Sequence, residues 1–175
     1  VETGGQTGWL DTAAAYDELD EATKAEIADL EAVYLFRTGI EEMRFNQQGG
    51  RRITPRKETY PYFPPVANPL VWTHPETGRK VLNVSTLNID HVIGQEGEAG
   101  DALIRRLIEH TLQPRFQYVH EWANNDMVLW DNRRTMHAAF GHPVREIRVV
   151  HRTTIKGTVA MGRVYEDGAN AEAAE

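Results

Sequence analysis

The chain has 175 residues, of which 41% are hydrophobic, so it is long enough to bury a core as one domain. It has no cysteine, which excludes disulfides, zinc–thiolate sites and cysteine nucleophiles and favours a cytoplasmic protein. The net charge of −7 argues against nucleic acid as a partner, because a duplex-binding surface carries a basic excess. No apolar run reaches the ~18 residues of a membrane span, so we expect no membrane partner.

The first part of the chain predicts two short helices behind a glycine turn. The chain opens at Val1 and runs directly into Gly4 and Gly5, from which we expect that further sequence precedes it. The segment after Asp11 has the composition of a helix start. A second helix is expected over residues 19–36, where apolar residues recur at helical spacing.

Residues 37–69 lack hydrophobic periodicity and contain five of the eight prolines. A loop of this length inside a compact domain is usually functional. We interpret it as a lid or substrate loop, with an ordinary surface excursion as the alternative.

From Leu70 onward the pattern predicts short strands and one helix. Residues 70–74 and 80–85 flank a Pro-Glu-Thr-Gly turn and predict a hairpin, and one apolar stripe predicts a helix over residues 101–112. Four more strands are expected over residues 116–122, 127–131, 135–139 and 147–156. These elements indicate a mainly β fold with flanking helices, a double-sheet barrel forming one domain over residues 1–165. Residues 166–175 are acidic, rich in alanine and predicted to be a disordered tail.

The histidines show no metal-binding helix motif of the His-Glu-x-x-His kind. His74-Pro75-Glu76 formally matches a His-x-Glu pair of metal ligands, but it lies in the predicted hairpin turn. We therefore favour a role for His74 in stabilising the hairpin.

Two arginines follow a histidine near the carboxyl end. Arg148 and Arg152 lie eleven and fifteen residues after His137, and on one regular strand they would face the same side. Arginines on the inner face of a barrel need anions as partners, which would indicate a carboxylate-bearing ligand. In the alternative, Ile147 and Val149 line the core and both arginines face solvent. The alternation alone favours this second interpretation.

Several motifs recur in an order typical of one family. Residues 130–133 read Trp-Asp-Asn-Arg, and they are followed by His137, Arg148 and an Arg-Thr-Thr-Ile-Lys-Gly segment at 152–157. Near the start of the chain, residues 4–7 read Gly-Gly-Gln-Thr. Residues 68–80 read Asn-Pro-Leu-Val-Trp-Thr-His-Pro-Glu-Thr-Gly-Arg-Lys. This series resembles the taurine / 2,4-dichlorophenoxyacetate (TauD/TfdA-like) family of 2-oxoglutarate-dependent dioxygenases. The resemblance covers nearly the whole chain, with Gln6 in place of the family's usual Asp and Asn68 in place of its first hairpin His.

The resemblance implies a double-stranded β-helix, the jelly-roll or cupin-like barrel, with its amino-terminal part missing from this chain. It implies an oxidoreductase that uses Fe(II), O2 and 2-oxoglutarate to hydroxylate a small, anionic substrate and releases succinate and CO2. His137 would be the catalytic metal ligand, while Arg148 and Thr7 would bind the distal carboxylate of 2-oxoglutarate. Arg152 would bind an anionic group of the substrate or of 2-oxoglutarate. Homo-dimers or homo-tetramers would be the expected assemblies.

One departure from the family concerns the metal. Its first two iron ligands form a His-x-Asp motif, which we expect upstream of Val1. Two alternatives stay open: a related halogenase, in which chloride replaces the carboxylate ligand, and a non-catalytic jelly-roll remnant that lacks the full iron triad. The residues do not identify the substrate.

Overall fold

The computed structural model describes residues 2–37, 43–46 and 61–166. The strands are β1 (Thr7–Asp11), β2 (Glu31–Tyr34), β3 (Val66–Pro69), β4 (Val71–Thr73), β5 (Lys80–Leu82), β6 (Ile89–Val92), β7 (Gln117–His120), β8 (Thr135–Ala139) and β9 (Arg163–Val164). The helices are α1 (Thr12–Asp17), α2 (Glu21–Ile27) and α3 (Glu98–Thr111), with a 3-10 turn at Pro114–Phe116. Within these ranges no helix combines the length and apolarity needed to cross a membrane.

The strands form three antiparallel sheets. One has the order β7-β1-β8, the second β6-β2-β3-β9, and β4 with β5 forms a two-stranded hairpin. The fold is therefore mostly β with a few helices. β1 is the central strand of the first sheet. It pairs on one side with β7 and on the other with β8, so the start of the chain lies between residues 117–120 and residues 135–139.

The main core lies between α3 and the β2-containing sheet. On α3, Leu103, Ile104, Leu107 and Ile108 are at most 3% exposed, and they pack with apolar residues of β2, β6 and the hairpin. Because full burial of such a side chain stabilises the fold by about 1.5–3 kcal/mol, this stripe anchors the helix.

The start of α1 is tied to the start of β8. The Asp11 carboxylate accepts hydrogen bonds from the backbone N–H groups of Ala13 and Ala14, which caps the helix. It also pairs with Arg134. The Thr12 backbone N–H and hydroxyl both donate to the carbonyl of Arg134, over 3.0 and 2.8 Å. These contacts fix where β8 begins.

The structure confirms the predictions of the hairpin, the long helix and two of the strands. The hairpin contains β4 and β5, the predicted helix 101–112 is α3, and the strands expected over 116–122 and 135–139 are β7 and β8. The predicted first helix is α1.

Three elements predicted from the pattern were wrong. The second helix does not extend to residue 36, because residues 31–34 form β2 between β3 and β6. Residues 127–131 and 147–156 form no strand, since no ladder partner lies beside them in the described part of the chain. Most of their apolar side chains are open to solvent; Leu129 is 86% and Ile147 is 87% exposed.

The predicted lid falls partly outside the described residues. Residues 38–42 and 47–60 of the 37–69 segment lie outside them, and so do residues 167–175 of the predicted tail. At the end of the predicted lid, residues 66–69 form β3, which pairs with both β2 and β9.

Candidate active site

The first sheet places Thr7 and His137 on one face. Thr7 lies opposite His120 on β7 and Ala139 on β8, and Trp9 lies opposite His137. Residues two apart on a strand share a face, and so do directly opposed residues of neighbouring strands. Residues that are 130 positions apart in the sequence are thereby held next to one another.

Arg148 reaches back to the beginning of the chain. Its Nε donates to the Gly5 carbonyl over 2.8 Å, and its Nη2 donates to the Thr7 hydroxyl over 3.3 Å. Arg148 is partly buried, and Thr7 is only 8% exposed. Arg148 therefore faces the sheet and not the solvent, whereas its neighbour Val149 is 70% exposed.

The glycine turn before β1 makes this contact sterically feasible. Gly4 has a φ of 76°, a conformation that L residues rarely adopt, and a Cβ there would lie 2.3 Å from the Gly141 carbonyl oxygen. The Gly5 N–H donates to the same oxygen over 3.0 Å. The turn is thus pressed against residue 141, which brings the Gly5 carbonyl to Arg148.

His137 projects from β8 beside an aromatic ring and a cation. The Trp130 ring lies 5.2 Å from the imidazole, centroid to centroid, and Arg152 Nη1 lies 3.4 Å from His137 Nε2. Desolvation and the positive charge of Arg152 lower the pKa of His137. A neutral imidazole with an unprotonated nitrogen is the form that binds a metal ion.

The turn before β8 is held by a bridge to the β4–β5 hairpin. His74, 3% exposed, lies with its Nε2 2.7 Å from Asp131 Oδ2. His74 Nδ1 accepts from the N–H groups of Glu76 and Thr77, so the proton is on Nε2 and is donated to Asp131. Burial raises the pKa of Asp131, but hydrogen bonds from the Arg133 N–H and from His74 outweigh this effect and lower it.

This bridge gives His74 a second contact beyond the hairpin role that we predicted. Both ring nitrogens of His74 are engaged by protein groups, which leaves neither one open to a metal ion. No periodic pattern could have shown the contact with Asp131, because a hydrogen bond between side chains 57 positions apart has no local signal.

Trp122 is a site residue that the sequence did not reveal. It follows β7, and its indole Nε1 donates to the Thr7 hydroxyl over 2.9 Å. Its ring meets His120 edge-on at 4.7 Å and lies 6.4 Å from Trp9. The only sequence hint was its position two residues after His120, on the side of the strand that faces Thr7.

One broad cleft of about 2070 Å³ opens beside these residues. Pockets that enclose a small ligand are typically about 300–1,000 Å³. In the part of the chain that the structure describes, the residues form the floor and sides of the cleft and do not close over it. All four residues predicted for the site line it: Thr7, His137, Arg148 and Arg152.

The arrangement suits an anion more completely than a metal ion. Arg148 and Thr7 offer a charged and a neutral donor side by side, a pair that can bind a carboxylate. Across residues 2–37, 43–46 and 61–166, no three His, Cys, Asp or Glu side chains are grouped to hold a metal. His137 is one suitable ligand, so these residues alone do not complete a metal site.

Comparisons with known proteins place the chain in a family. Residues 1–154 match the model of the family described as "Taurine catabolism dioxygenase TauD, TfdA family". The chain belongs to this family. The family resemblance deduced from residues 4–7, 68–80 and 130–157 is thereby confirmed.

Individual members of the family are similar over nearly the whole chain. An alpha-ketoglutarate-dependent 2,4-dichlorophenoxyacetate dioxygenase of Burkholderia sp. (strain RASC) is 34% identical over 89% of this chain and 50% of that protein. An alpha-ketoglutarate-dependent sulfate ester dioxygenase of Pseudomonas putida is 29% identical over 91% of this chain and 53% of that protein. The chain thus spans about half the length of the curated relatives it matches.

A solved structure agrees in fold. The crystal structure of AAD-2 in complex with Mn(II) and N-oxalylglycine superposes with a TM-score of 0.75 at 37% identity. The match covers 91% of this chain and 60% of that one.

Proposed function

We propose that the protein containing this chain is an iron(II)- and 2-oxoglutarate-dependent dioxygenase that hydroxylates a small, anionic organic substrate. The observation that carries the proposal is the contact of Arg148 with Thr7 on the sheet face from which His137 projects. This contact forms a carboxylate anchor next to a metal-binding type of side chain. The names of the two curated relatives support an oxo-acid co-substrate and an anionic substrate, and they do not favour the halogenase alternative.

In this proposal the fold is a double-stranded β-helix, with residues 1–165 forming one catalytic domain and 166–175 a tail. The structural similarity to AAD-2 supports this barrel fold. Residues 37–69 would form the substrate lid up to β3, whose pairing with β2 and β9 would anchor its carboxyl end. The solvent-open apolar residues of 127–131 and 147–156 would then line the barrel interior.

His137 would be one of three protein ligands of the metal. The other two, a His-x-Asp pair, would come from outside the described residues. Iron(II) bound together with 2-oxoglutarate would supply the oxidation of a substrate C–H bond, with succinate and CO2 as products. The protein would hold the metal ligand His137 in position. The Trp130 ring and the Asp131–His74 bridge fix the segment that presents it.

Arg148 and Thr7 would fix the far carboxylate of 2-oxoglutarate. The guanidinium has five N–H donors, and Gly5 and Thr7 engage only two of its nitrogens. A donor therefore stays available for a carboxylate. Arg152, next to His137 Nε2, would neutralise an anionic group of the substrate and keep the imidazole unprotonated.

The direct test measures product formation by the intact protein. With Fe(II), O2 and a panel of small carboxylates, sulfonates and sulfate esters, we expect succinate release that depends on 2-oxoglutarate. Anaerobic titration with Fe(II) and 2-oxoglutarate should also produce a weak visible charge-transfer band. A protein that binds neither and forms no succinate with any panel member would be the non-catalytic barrel of our alternative.

Replacing Arg152 with alanine should affect the binding of the substrate more than the binding of 2-oxoglutarate. We expect the KM for the substrate to rise about 10- to 100-fold, because a hydrogen bond to a charged group is worth about 1.5–3 kcal/mol. The KM for 2-oxoglutarate should change much less. Arg106→Ala, which removes an exposed arginine on α3 outside the cleft, is the control and should leave both values near those of the unaltered protein. Equal rises in both KM values would assign Arg152 to a different role.

A further inference from the structure

The hydroxyl of Thr7 has both of its acceptor positions occupied. A threonine hydroxyl can accept two hydrogen bonds and donate one. Trp122 Nε1 donates to it over 2.9 Å, and Arg148 Nη2 donates to it over 3.3 Å. Its own hydrogen must therefore point in a third direction.

No protein group receives that hydrogen within residues 2–37, 43–46 and 61–166. Thr7 is only 8% exposed, and its exposed part faces the cleft. A buried hydroxyl that donates to nothing is unfavourable, because it has lost its hydrogen bond to water without replacement. The missing partner is thus an acceptor atom that enters the cleft, and the adjacent guanidinium favours a negatively charged one.

Trp122 is held in place independently of Thr7. Its ring packs edge-on against His120, whose Nε2 lies 3.0 Å from Asp126 Oδ2. Asp126 in turn accepts from the Ala123 N–H over 2.9 Å, which closes the turn that follows Trp122. The indole N–H therefore keeps its direction whether or not a ligand is bound.

We propose that Trp122 is a positioning residue for co-substrate binding. Trp122 and Arg148 together fill both acceptor sites of the Thr7 hydroxyl, so the hydroxyl can take part in a further hydrogen bond only as a donor. It donates to the distal carboxylate of 2-oxoglutarate. This inference rests on the proposed function. Without Trp122, the hydroxyl hydrogen is free to rotate away, and the carboxylate loses an oriented donor. The selectivity for a dicarboxylic oxo acid thus depends on a residue that does not touch the ligand.

The test compares two oxo acids of equal length. The intact, Mn(II)-loaded protein is titrated calorimetrically with 2-oxoglutarate and with 2-oxopentanoate, which lacks the distal carboxylate. We expect Trp122→Phe, which keeps an aromatic ring but removes the N–H, to weaken 2-oxoglutarate binding about 3- to 10-fold, the size of one lost hydrogen bond. Binding of 2-oxopentanoate should not change.

Trp9→Phe is the matched control. It makes the same replacement in the same aromatic cluster, but the Trp9 N–H has no partner among the described residues. We expect its 2-oxoglutarate affinity to stay within about twofold of the unaltered protein, because no hydrogen bond is removed. In a Thr7→Val background, Trp122→Phe should have no further effect, since the acceptor is already absent.

The outcomes separate this inference from the proposed function. An unaltered protein that binds both oxo acids equally would overturn the carboxylate anchor, and this inference with it. If the unaltered protein prefers 2-oxoglutarate and Trp122→Phe retains the full preference, only the role of Trp122 is wrong. A variant that loses affinity for both acids to the same extent would show that Trp122 acts through packing alone.

Discussion

Replacement of Arg148 with alanine is expected to weaken 2-oxoglutarate binding by roughly 30-fold or more, because loss of one partner from a buried charge pair costs about 2–5 kcal/mol. The carboxylate would keep only the neutral Thr7 donor. The dissociation constant of 2-oxoglutarate, measured calorimetrically on the intact Mn(II)-loaded protein, tests this directly.

Arg148→Lys sharpens the measurement. Lysine restores the charge but not the planar fork, which here extends one arm to the Gly5 carbonyl and another to the Thr7 hydroxyl. We expect an affinity between those of the alanine variant and the unaltered protein. If charge alone mattered, lysine would restore the affinity in full.

Arg163→Ala provides the control for Arg148. Arg163 is an exposed arginine on β9 that pairs with Glu31 over 2.6 Å, in a different sheet from the site. Its loss should leave 2-oxoglutarate binding unchanged. A normal affinity in Arg148→Ala, together with a large loss in Arg152→Ala, would transfer the anchor to Arg152 and contradict our assignment.

The orientation of the two arginines shows what alternation can and cannot predict. Residue spacing favoured Ile147 and Val149 as the buried pair, with both arginines facing solvent. The structure divides the two arginines: Arg148 is partly buried and bonded to Thr7, whereas Arg152, like Ile147 and Val149, is exposed. Alternation holds only on a regular strand, and residues 147–156 form none, so the exposure of each side chain there depends on contacts with segments elsewhere in the chain.

Where the apolar pattern is short, it did not distinguish a helix from a strand. Over residues 19–36 the apolar spacing fitted a helix, yet only residues 21–27 are helical and 31–34 form β2. Ala32 and Val33 are adjacent and both buried, which suits a strand packed between β3 and β6. Four residues are too few for periodicity to distinguish the two structures.

The site itself was partly readable because its motifs are local. The Trp-Asp-Asn-Arg turn fixes the distance to His137, and Arg148 follows within one segment. Thr7 entered only through the family resemblance, since its contact with Arg148 spans 141 positions. His74 with Asp131 and Trp122 with Thr7 are hydrogen bonds between distant side chains, and these leave no trace in composition or spacing.

Replacement of His137 with alanine is expected to abolish specific metal binding by the intact protein. Loss of a residue that merely supports a ligand costs about 10- to 100-fold in metal affinity, so loss of a ligand itself should exceed about 100-fold. Equilibrium titration with Fe(II) under anaerobic conditions, or with Mn(II), measures the dissociation constant. Succinate release should fall in parallel, because the metal that would supply the oxidation is no longer held.

Two further variants distinguish lost ligation from lost structure. His151→Gln changes an exposed histidine between the two arginines and should bind metal normally. His137→Gln preserves much of the side-chain volume against Trp130, so its thermal unfolding should match that of the unaltered protein while metal affinity stays low. Full metal affinity in His137→Ala would mean that this imidazole lies beside the metal without binding it. Arg152, 3.4 Å from its Nε2, would then be the group that His137 serves to orient.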